Sequence, residues 1–96
     1  MKLYILRDDI KLPVIVKLGA LVSDLQKAVK TVTLKYLRSV QYEGLEFVNW
    51  KYFWRNYCLC FKGQKLEDKD KSLHHHYGLR NKNELIYVKK CKNNIF

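Results

Sequence analysis

The cysteines and histidines are the side chains with the clearest potential for chemistry. Cys58 and Cys60 stand two positions apart, so on a strand their thiols would share one side, and Cys91 and the run His74–His76 could add zinc ligands. Structural zinc sites usually contain C-x-x-C pairs, which this sequence lacks, and adjacent histidines rarely hold one ion together. We therefore expect no metal site and no cofactor, and we expect the three cysteines to be free thiols.

The carboxylates give no sign of acid–base catalysis. Glu67, Asp68 and Asp70 stand among lysines, where local charge compensation explains them, and no second carboxylate pair is evident. No Ser/His/Asp or Cys/His/Asn combination is distinctive either. The sequence therefore predicts a protein that binds, and not an enzyme.

Size and composition favour one folded domain. The chain has 96 residues, of which 48% are hydrophobic and 14% aromatic, and a single proline and four glycines leave no flexible linker. No apolar run is long enough to span a membrane, and the start MKLYILRDD becomes charged too early for a signal peptide. An intracellular protein is the expectation.

The net charge of +10 is concentrated in the second half of the chain. Residues 1–48 carry eight Lys/Arg against five acids, and residues 49–96 carry eleven against four. Such a balance suggests an acidic partner, either RNA or an acidic protein. However, fifteen of the nineteen cations are lysines, whereas arginine is the usual choice for bidentate phosphate or base recognition, so a solubilising surface fits equally well.

The first forty residues predict two strands and a long helix. Strands are expected at 2–7 and 11–18, with a turn at Asp8-Asp9, and Pro13 should mark an edge position or a bulge because it cannot donate to a ladder. Ser23 and Asp24 signal a helix start. The apolar stripe of that helix recurs at steps of three and four residues, at Leu25, Ala28, Val29, Val32, Tyr36 and Val40.

An aromatic-rich segment separates this helix from the remaining strands. Six of the thirteen aromatic residues fall within 47–57, where Asn49 could cap a short extra helix. Strands are expected at 58–62 and 84–90, with a loop between them that contains at most one helical turn. This order predicts an α+β fold of the β-grasp type, in which the helix packs across one face of a mixed sheet. Its interior should unite Leu25, Val29, Leu59 and Leu85.

Several runs in the second half carry a family resemblance. Phe61-Lys62-Gly63, Leu66-Glu67-Asp68, Tyr77-Gly78-Leu79 and the strand Leu85–Val88 follow the order of a ubiquitin-like domain, which they resemble. A closer resemblance, to the ubiquitin-like domains of the 25-kilodalton family of minor-spliceosome proteins, rests on four runs. These are Asn49–Tyr57 (NWKYFWRNY), Gly63–Leu66, Tyr77–Asn81 and Glu84–Lys90.

The resemblance implies a ubiquitin-like domain over 1–90 with an insert at 41–57, followed by a frayed basic tail at 91–96. It further implies a non-catalytic assembly subunit of a minor-class spliceosomal small nuclear ribonucleoprotein, acting in pre-mRNA splicing in the nucleus. The expected partners are other protein subunits of the particle, with small nuclear RNA as a further candidate. Because the sequence ends without Gly-Gly, it resembles a fixed domain and not a conjugated modifier. A direct RNA-binding module and a general ubiquitin-like adaptor outside splicing remain alternatives.

The outward side of the sheet is the first candidate docking surface. In the last strand, alternation turns Ile86 and Val88 away from the helix, although an apolar pair is unusual on a half-exposed strand. By the resemblance Cys60 joins this pair, and Tyr4 and Leu6 on the first strand extend it. The alternative is that the insert or the tail covers this side.

Two further sets of residues are candidates for binding. Trp50 and Trp54 lie four positions apart and should share one helix face, which either packs inward or meets a partner; Tyr52 and Arg55 lie off that face and are better candidates for exposed contacts. The cluster of Lys89, Lys90 and Lys92 could contact RNA phosphates or an acidic partner, without sequence specificity.

Overall fold

A β-hairpin begins the fold, and its edge strand carries the proline. In the computed structural model, which describes residues 1–40 and 49–90, β1 (Lys2–Arg7) and β2 (Ile10–Ile15) are antiparallel and are joined at Asp8 and Asp9, where a turn was predicted. The second strand was predicted to reach residue 18, but it ends at Ile15. Asp8 has a positive φ of 54°, which aspartate tolerates better than most residues. Residues 41–48 and 91–96, which include the first part of the predicted insert and the predicted tail, lie outside the described residues.

Pro13 occupies an edge position, one of the two alternatives that the sequence left open. β2 is the first strand of the sheet, and Pro13 is the register partner of Tyr4. The backbone N–H of Tyr4 donates to the carbonyl oxygen of Asn83 at 3.0 Å, so Tyr4 directs its backbone groups away from β2. The backbone nitrogen of Pro13 therefore points away from β1, towards the open edge of the sheet. Its missing N–H removes no hydrogen bond between β1 and β2, and it leaves the exposed edge with one donor fewer for pairing with another strand.

The main helix, α1 (Val22–Ser39), begins without a side-chain cap. Leu21 occupies the N-cap position and has no acceptor of its own, so the predicted start at Ser23 and Asp24 was one to two residues late. Two carbonyl oxygens of the loop after β4 accept the first free N–H groups instead: that of Lys71 from Val22 at 3.0 Å and that of Lys69 from Ser23 at 3.2 Å. The carboxylate of Asp24 accepts from the N–H of Leu21 at 3.0 Å.

A second helix and three strands complete the fold. They are α2 (Trp50–Asn56), β3 (Tyr57–Phe61), β4 (Gln64–Leu66) and β5 (Glu84–Lys89). The sheet order is β2-β1-β5-β3-β4, in which β1 and β5 are parallel and the other neighbours are antiparallel. This is the predicted α+β β-grasp arrangement of a mixed sheet with one main helix and a short extra helix. The strand β4 was missed, because the sequence interpretation treated the whole region after Gly63 as a loop.

The core lies between α1 and one face of the sheet. Leu25, Val29, Leu59 and Leu85 are each 2% exposed or less and belong to one apolar cluster, as predicted. The long connection before β5 contributes to the same cluster through Leu73 and Leu79, both fully buried. No helix among residues 1–40 and 49–90 is long and apolar enough to cross a lipid bilayer.

Candidate docking surface

The face of the sheet turned away from α1, called here the outer face, presents a row of register partners that crosses all five strands. Leu6 on β1 lies opposite Lys11 on β2 and Ile86 on β5. Ile86 lies opposite Cys60 on β3, which in turn lies opposite Lys65 on β4. Register partners direct their side chains to the same face. The cross-sheet row therefore has an apolar centre, formed by Leu6, Ile86 and Cys60, and a lysine at each end.

Exposure along the cross-sheet row is uneven, and Ile86 is its most accessible apolar member. The side chain of Ile86 is 46% exposed, and Leu6 and Val88 are half-buried on the same face. Cys60 is only 6% exposed, so the prediction that it offers a contact surface was wrong. The reason is geometric: its short side chain lies between the longer side chains of Ile86 and Lys65, its register partners on the two adjacent strands.

A polar cluster borders the cross-sheet row at its β2 end. The Nζ atom of Lys11 lies 2.7 Å from Oε2 of Glu84 and 4.5 Å from the ring centroid of Tyr4. The hydrogen bond to Glu84 is the main cause that raises the pKa of Lys11. Tyr4, predicted to extend the docking surface, is half-buried and lies beneath this cation. At one end of the row, the charge of Lys11 is thus partly neutralised by Glu84. At the other end, the charge of Lys65 has no ion-pair partner in the described part of the chain.

A groove connects the outer face to α2. The register between β1 and β5 ends at Leu6 and Ile86, whereas β5 continues to Lys89 alongside β3. The groove lies at this point, has a volume of ≈ 590 Å³, and is lined by Leu6, Ile86, Arg7, Phe53 and Tyr57, among others. Its lining combines apolar side chains with the opposite charges of Arg7 and Asp8, and it extends the surface that a partner could contact.

The α2 candidates divide as the sequence predicted. Tyr52 is 62% exposed and Arg55 is exposed, so both are accessible. Trp54 is 8% exposed and belongs to the core, and Trp50 is half-buried against it, so the inward alternative is the correct one for these two residues. The Oδ1 atom of Asn49 accepts a hydrogen bond from the N–H of Tyr52 at 3.1 Å and caps the helix as expected.

Phe53 is the residue of α2 to which the sequence interpretation gave no role. Its ring centroid lies 5.0 Å from that of Trp54, 5.1 Å from that of Tyr57 and 5.4 Å from that of Tyr87. Tyr87 faces α1, so these contacts hold α2 against the inner side of β5. The spacing of four residues between Phe53 and Tyr57 was a readable signal for this contact.

The structure describes only two of the three lysines of the predicted basic cluster. Lys89 is the last residue of β5 and the register partner of Tyr57, and Lys90 follows the strand. The backbone N–H of Lys90 donates to the carbonyl oxygen of Asn56 at 2.8 Å, which continues the pairing past the strand. Lys92 lies outside the described residues. The contact of this cluster with RNA phosphates or an acidic partner stays a prediction.

Burial and hydrogen bonding within the fold account for Cys58, Cys60 and His74. Cys58 and Cys60 are free and buried, and burial, assisted by the nearby Glu67 carboxylate, raises the pKa of the Cys58 thiol. Nδ1 of His74 lies 2.9 Å from the carbonyl oxygen of Leu79, so this ring closes the loop before β5. Within residues 1–40 and 49–90 no three His, Cys, Asp or Glu side chains are grouped closely enough to hold a metal ion.

Lys11, Lys65 and Glu84 are members of the surface that sequence reasoning did not find. Each lies on a different strand, and only the register between strands brings them beside the apolar centre. Alternation within one strand predicts which side a residue faces, but it does not predict which residue of the next strand lies beside it.

Comparison with known proteins identifies the family. A family model described as "Ubiquitin-like domain" matches residues 1–94. The chain therefore belongs to the ubiquitin-like domain family. Its fold is similar to the solution NMR structure of the ubiquitin-like domain of an Arabidopsis thaliana protein, with a TM-score of 0.64 and 18% sequence identity over 100% of this chain and 83% of the other. At this identity the two share the fold.

Proposed function

We propose that this protein is a non-catalytic assembly subunit of a minor-class spliceosomal small nuclear ribonucleoprotein, and that the outer face docks another protein subunit of the particle. One observation supports the docking surface above all others. Ile86, 46% exposed, lies at the centre of an apolar row on a chain whose net charge is +10. An exposed apolar patch bordered by charged residues is typical of a protein interface.

The cross-sheet row is complementary to a partner that has a protruding apolar side chain surrounded by acidic residues. Ile86 and Leu6 supply the apolar contact, and Lys65 supplies a cation at one end of the row. Such end charges contribute more to orientation and to the rate of association than to affinity, whereas burial of the apolar centre stabilises the complex.

The splicing assignment rests on sequence resemblance, and the structure supplies a physical account of the residues that carry it. The run Asn49–Tyr57 forms the capped helix α2 and its aromatic cluster. In the run Tyr77–Asn81, Leu79 is fully buried, and Oδ1 of Asn81 accepts a hydrogen bond from the N–H of Lys2 at 2.8 Å. Resemblance in these runs supports a domain that is built like the minor-spliceosome domains. A nuclear location follows from the same proposal.

Affinity capture from nuclear extract tests both parts of the proposal. The informative variant is Ile86→Glu, which places a charge at the centre of the row. Ile15→Glu is the matched control, because Ile15 is 75% exposed on the same face but lies four register positions away along β1 and β2. We expect the unaltered chain and the Ile15→Glu variant to capture splicing subunits, and the Ile86→Glu variant to lose them.

The possible failures are distinguishable. If the unaltered chain captures no splicing subunits, the splicing assignment is wrong, and capture of degradation or chaperone proteins would indicate the general ubiquitin-like adaptor. If splicing subunits are captured equally by both variants, the outer face is the wrong surface. Tyr52→Ala, at the most exposed aromatic side chain of α2, would then examine the second predicted surface.

A further inference from the structure

The solvent-facing side of α1 carries four cations and a single acid at its first turn. Lys27, Lys30, Lys35 and Arg38 are all exposed, and at 3.6 residues per turn they fall within an arc of about 140°. The first and the last of them are eleven residues apart, which is roughly 16 Å along the helix axis. We name these four residues the α1 basic face. The core residues Leu25 and Val29 lie on the opposite side of the helix.

The fold itself gives no reason for this arrangement. The acid of α1 is Asp24, whose carboxylate is engaged with the N–H of Leu21 at the start of the helix. The one ion pair in the described part of the chain joins Lys11 and Glu84, so the four cations have no carboxylate partner there. Lys27 and Lys30 are three residues apart and repel each other, and they lie too far from the helix C-terminus to benefit from its dipole. A solubilising helix surface would more commonly alternate the two signs.

We propose that the α1 basic face binds the phosphate backbone of double-stranded RNA. Four cations along one side of a helix complement a continuous row of phosphates. The face carries no aromatic side chain, since Tyr36 is half-buried on the opposite side of the helix, where it lines a groove against the β1–β2 hairpin. Binding of single strands generally depends on aromatic side chains that stack on bases. With one arginine among the four cations, the face is equipped to contact the backbone and not to read base edges.

This surface is separate from the proposed docking surface. The outer face lies on one side of the sheet, and α1 packs on the other, so a protein partner and an RNA duplex could bind at the same time. The inference does not depend on the proposed function. It also differs from the predicted contact at Lys89 and Lys90, which lie at the end of β5 and not on α1.

The test measures binding of a stem-loop RNA at several salt concentrations by fluorescence anisotropy. In the first variant the four residues of the α1 basic face are replaced together: Lys27→Gln, Lys30→Gln, Lys35→Gln and Arg38→Gln. The matched control replaces three exposed lysines and one exposed arginine elsewhere: Lys51→Gln, Lys62→Gln, Lys82→Gln and Arg80→Gln. Both variants have the same net charge, so a general effect of charge would alter both equally.

The expected result is specific to the helix variant. Loss of four phosphate contacts should reduce the slope of log K against log salt by about 3 to 4, whereas the control should change it by less than about 1. The lost contacts alone correspond to a roughly hundredfold change in affinity between about 50 and 200 mM salt. Circular dichroism should show an intact fold, because glutamine is a good helix former and relieves the repulsion. Ile86→Glu should leave RNA binding unchanged.

Four outcomes would overturn the proposal. One is equal loss of binding in the helix variant and the control. The second is tighter binding of a single strand of the same length than of the stem-loop. The third is equal binding of poly-glutamate with the same dependence on the helix variant, which would indicate an acidic protein as the partner. The last is no measurable binding of the stem-loop by the unaltered chain at about 50 mM salt.

Discussion

Leu85 and Ile86 are neighbours on β5, yet the side chain of Leu85 is fully buried while that of Ile86 is 46% exposed. Successive side chains of a strand point to opposite faces of the sheet. Leu85 therefore lies in the core cluster together with Leu59, and Ile86 lies in the cross-sheet row. Two consecutive residues thus have different roles: Leu85 stabilises the fold, and Ile86 is the residue that we assign to binding.

Alanine substitutions at these two positions should therefore differ sharply in their effect on stability. Leu85→Ala removes a fully buried side chain and leaves a cavity, so we expect the free energy of unfolding to fall by about 2–5 kcal/mol. Ile86→Ala, at an exposed position, should lower it by less than about 1 kcal/mol. Urea denaturation of both variants checks this difference. Comparable losses in the two variants would contradict the burial of Leu85 or the exposure of Ile86.

The turn between β3 and β4 permits a second prediction. Phe61 and Gln64 are register partners, and the two residues between them, Lys62 and Gly63, have φ values of 49° and 84°. Two successive positive φ angles define the type I′ turn, which matches the twist of a hairpin and favours glycine. Gly63→Ala should cost about 1 kcal/mol of stability, because alanine adopts this conformation with strain.

Gly19 provides the matched control for that substitution. It has no positive φ, and a Cβ atom added there would meet nothing within 4 Å. Gly19→Ala should therefore leave the melting temperature unchanged or raise it slightly, because the substitution reduces the entropy of the unfolded chain. Thermal melting of the two variants side by side measures the contrast, and equal destabilisation would argue against a strained turn at Gly63.

Much of the fold was predictable because it depends on patterns within single elements. The apolar stripe of α1, the alternation of β1 and β5 and the cap of α2 at Asn49 all follow from spacing alone. The predicted stripe was wrong only at its last member, since Val40 is the C-cap residue and is 51% exposed. β4 was missed because a three-residue strand is too short to show alternation, although the glycine at position 63 signalled a hairpin turn. The start of α1 was misplaced because its N–H groups bond to the carbonyls of Lys69 and Lys71, about fifty residues away in the sequence.

The candidate site was predictable only in part, for a related reason. The outward direction of Ile86 follows from alternation within β5, and the outward side of Leu6 follows from alternation within β1. The pairing between strands that are distant in the sequence makes these two residues register partners. The same pairing places Lys11 beside them and buries Cys60 between longer neighbours. The pattern within a strand does not contain this information.

The buried thiol of Cys58 and the half-buried hydroxyl of Tyr87 predict how stability should depend on pH. Burial is the main cause that raises the pKa of the Cys58 thiol above 9.0 and that of the Tyr87 hydroxyl above 10.0; a hydrogen bond to Thr33 and the charge of Arg7 oppose the shift at Tyr87. In both cases the folded state retains a proton that the unfolded chain releases at lower pH. The free energy of unfolding should therefore fall as the pH rises past about 9 and fall further past about 10, with little contribution from either group below about pH 8.

Conservative variants separate the two contributions. Tyr87→Phe keeps the ring against Phe53 and removes the ionisable hydroxyl, so the decline in stability above about pH 10 should become shallower. Cys58→Ala should in the same way flatten the decline that begins near pH 9. Tyr52→Phe, at a ring that is 62% exposed, should give the profile of the unaltered chain. Urea midpoints between about pH 7 and 11 measure all four proteins. A stability that rises in this range, or a Tyr87→Phe profile identical to that of the unaltered chain, would show that the Tyr87 hydroxyl is not held in its protonated form by the core.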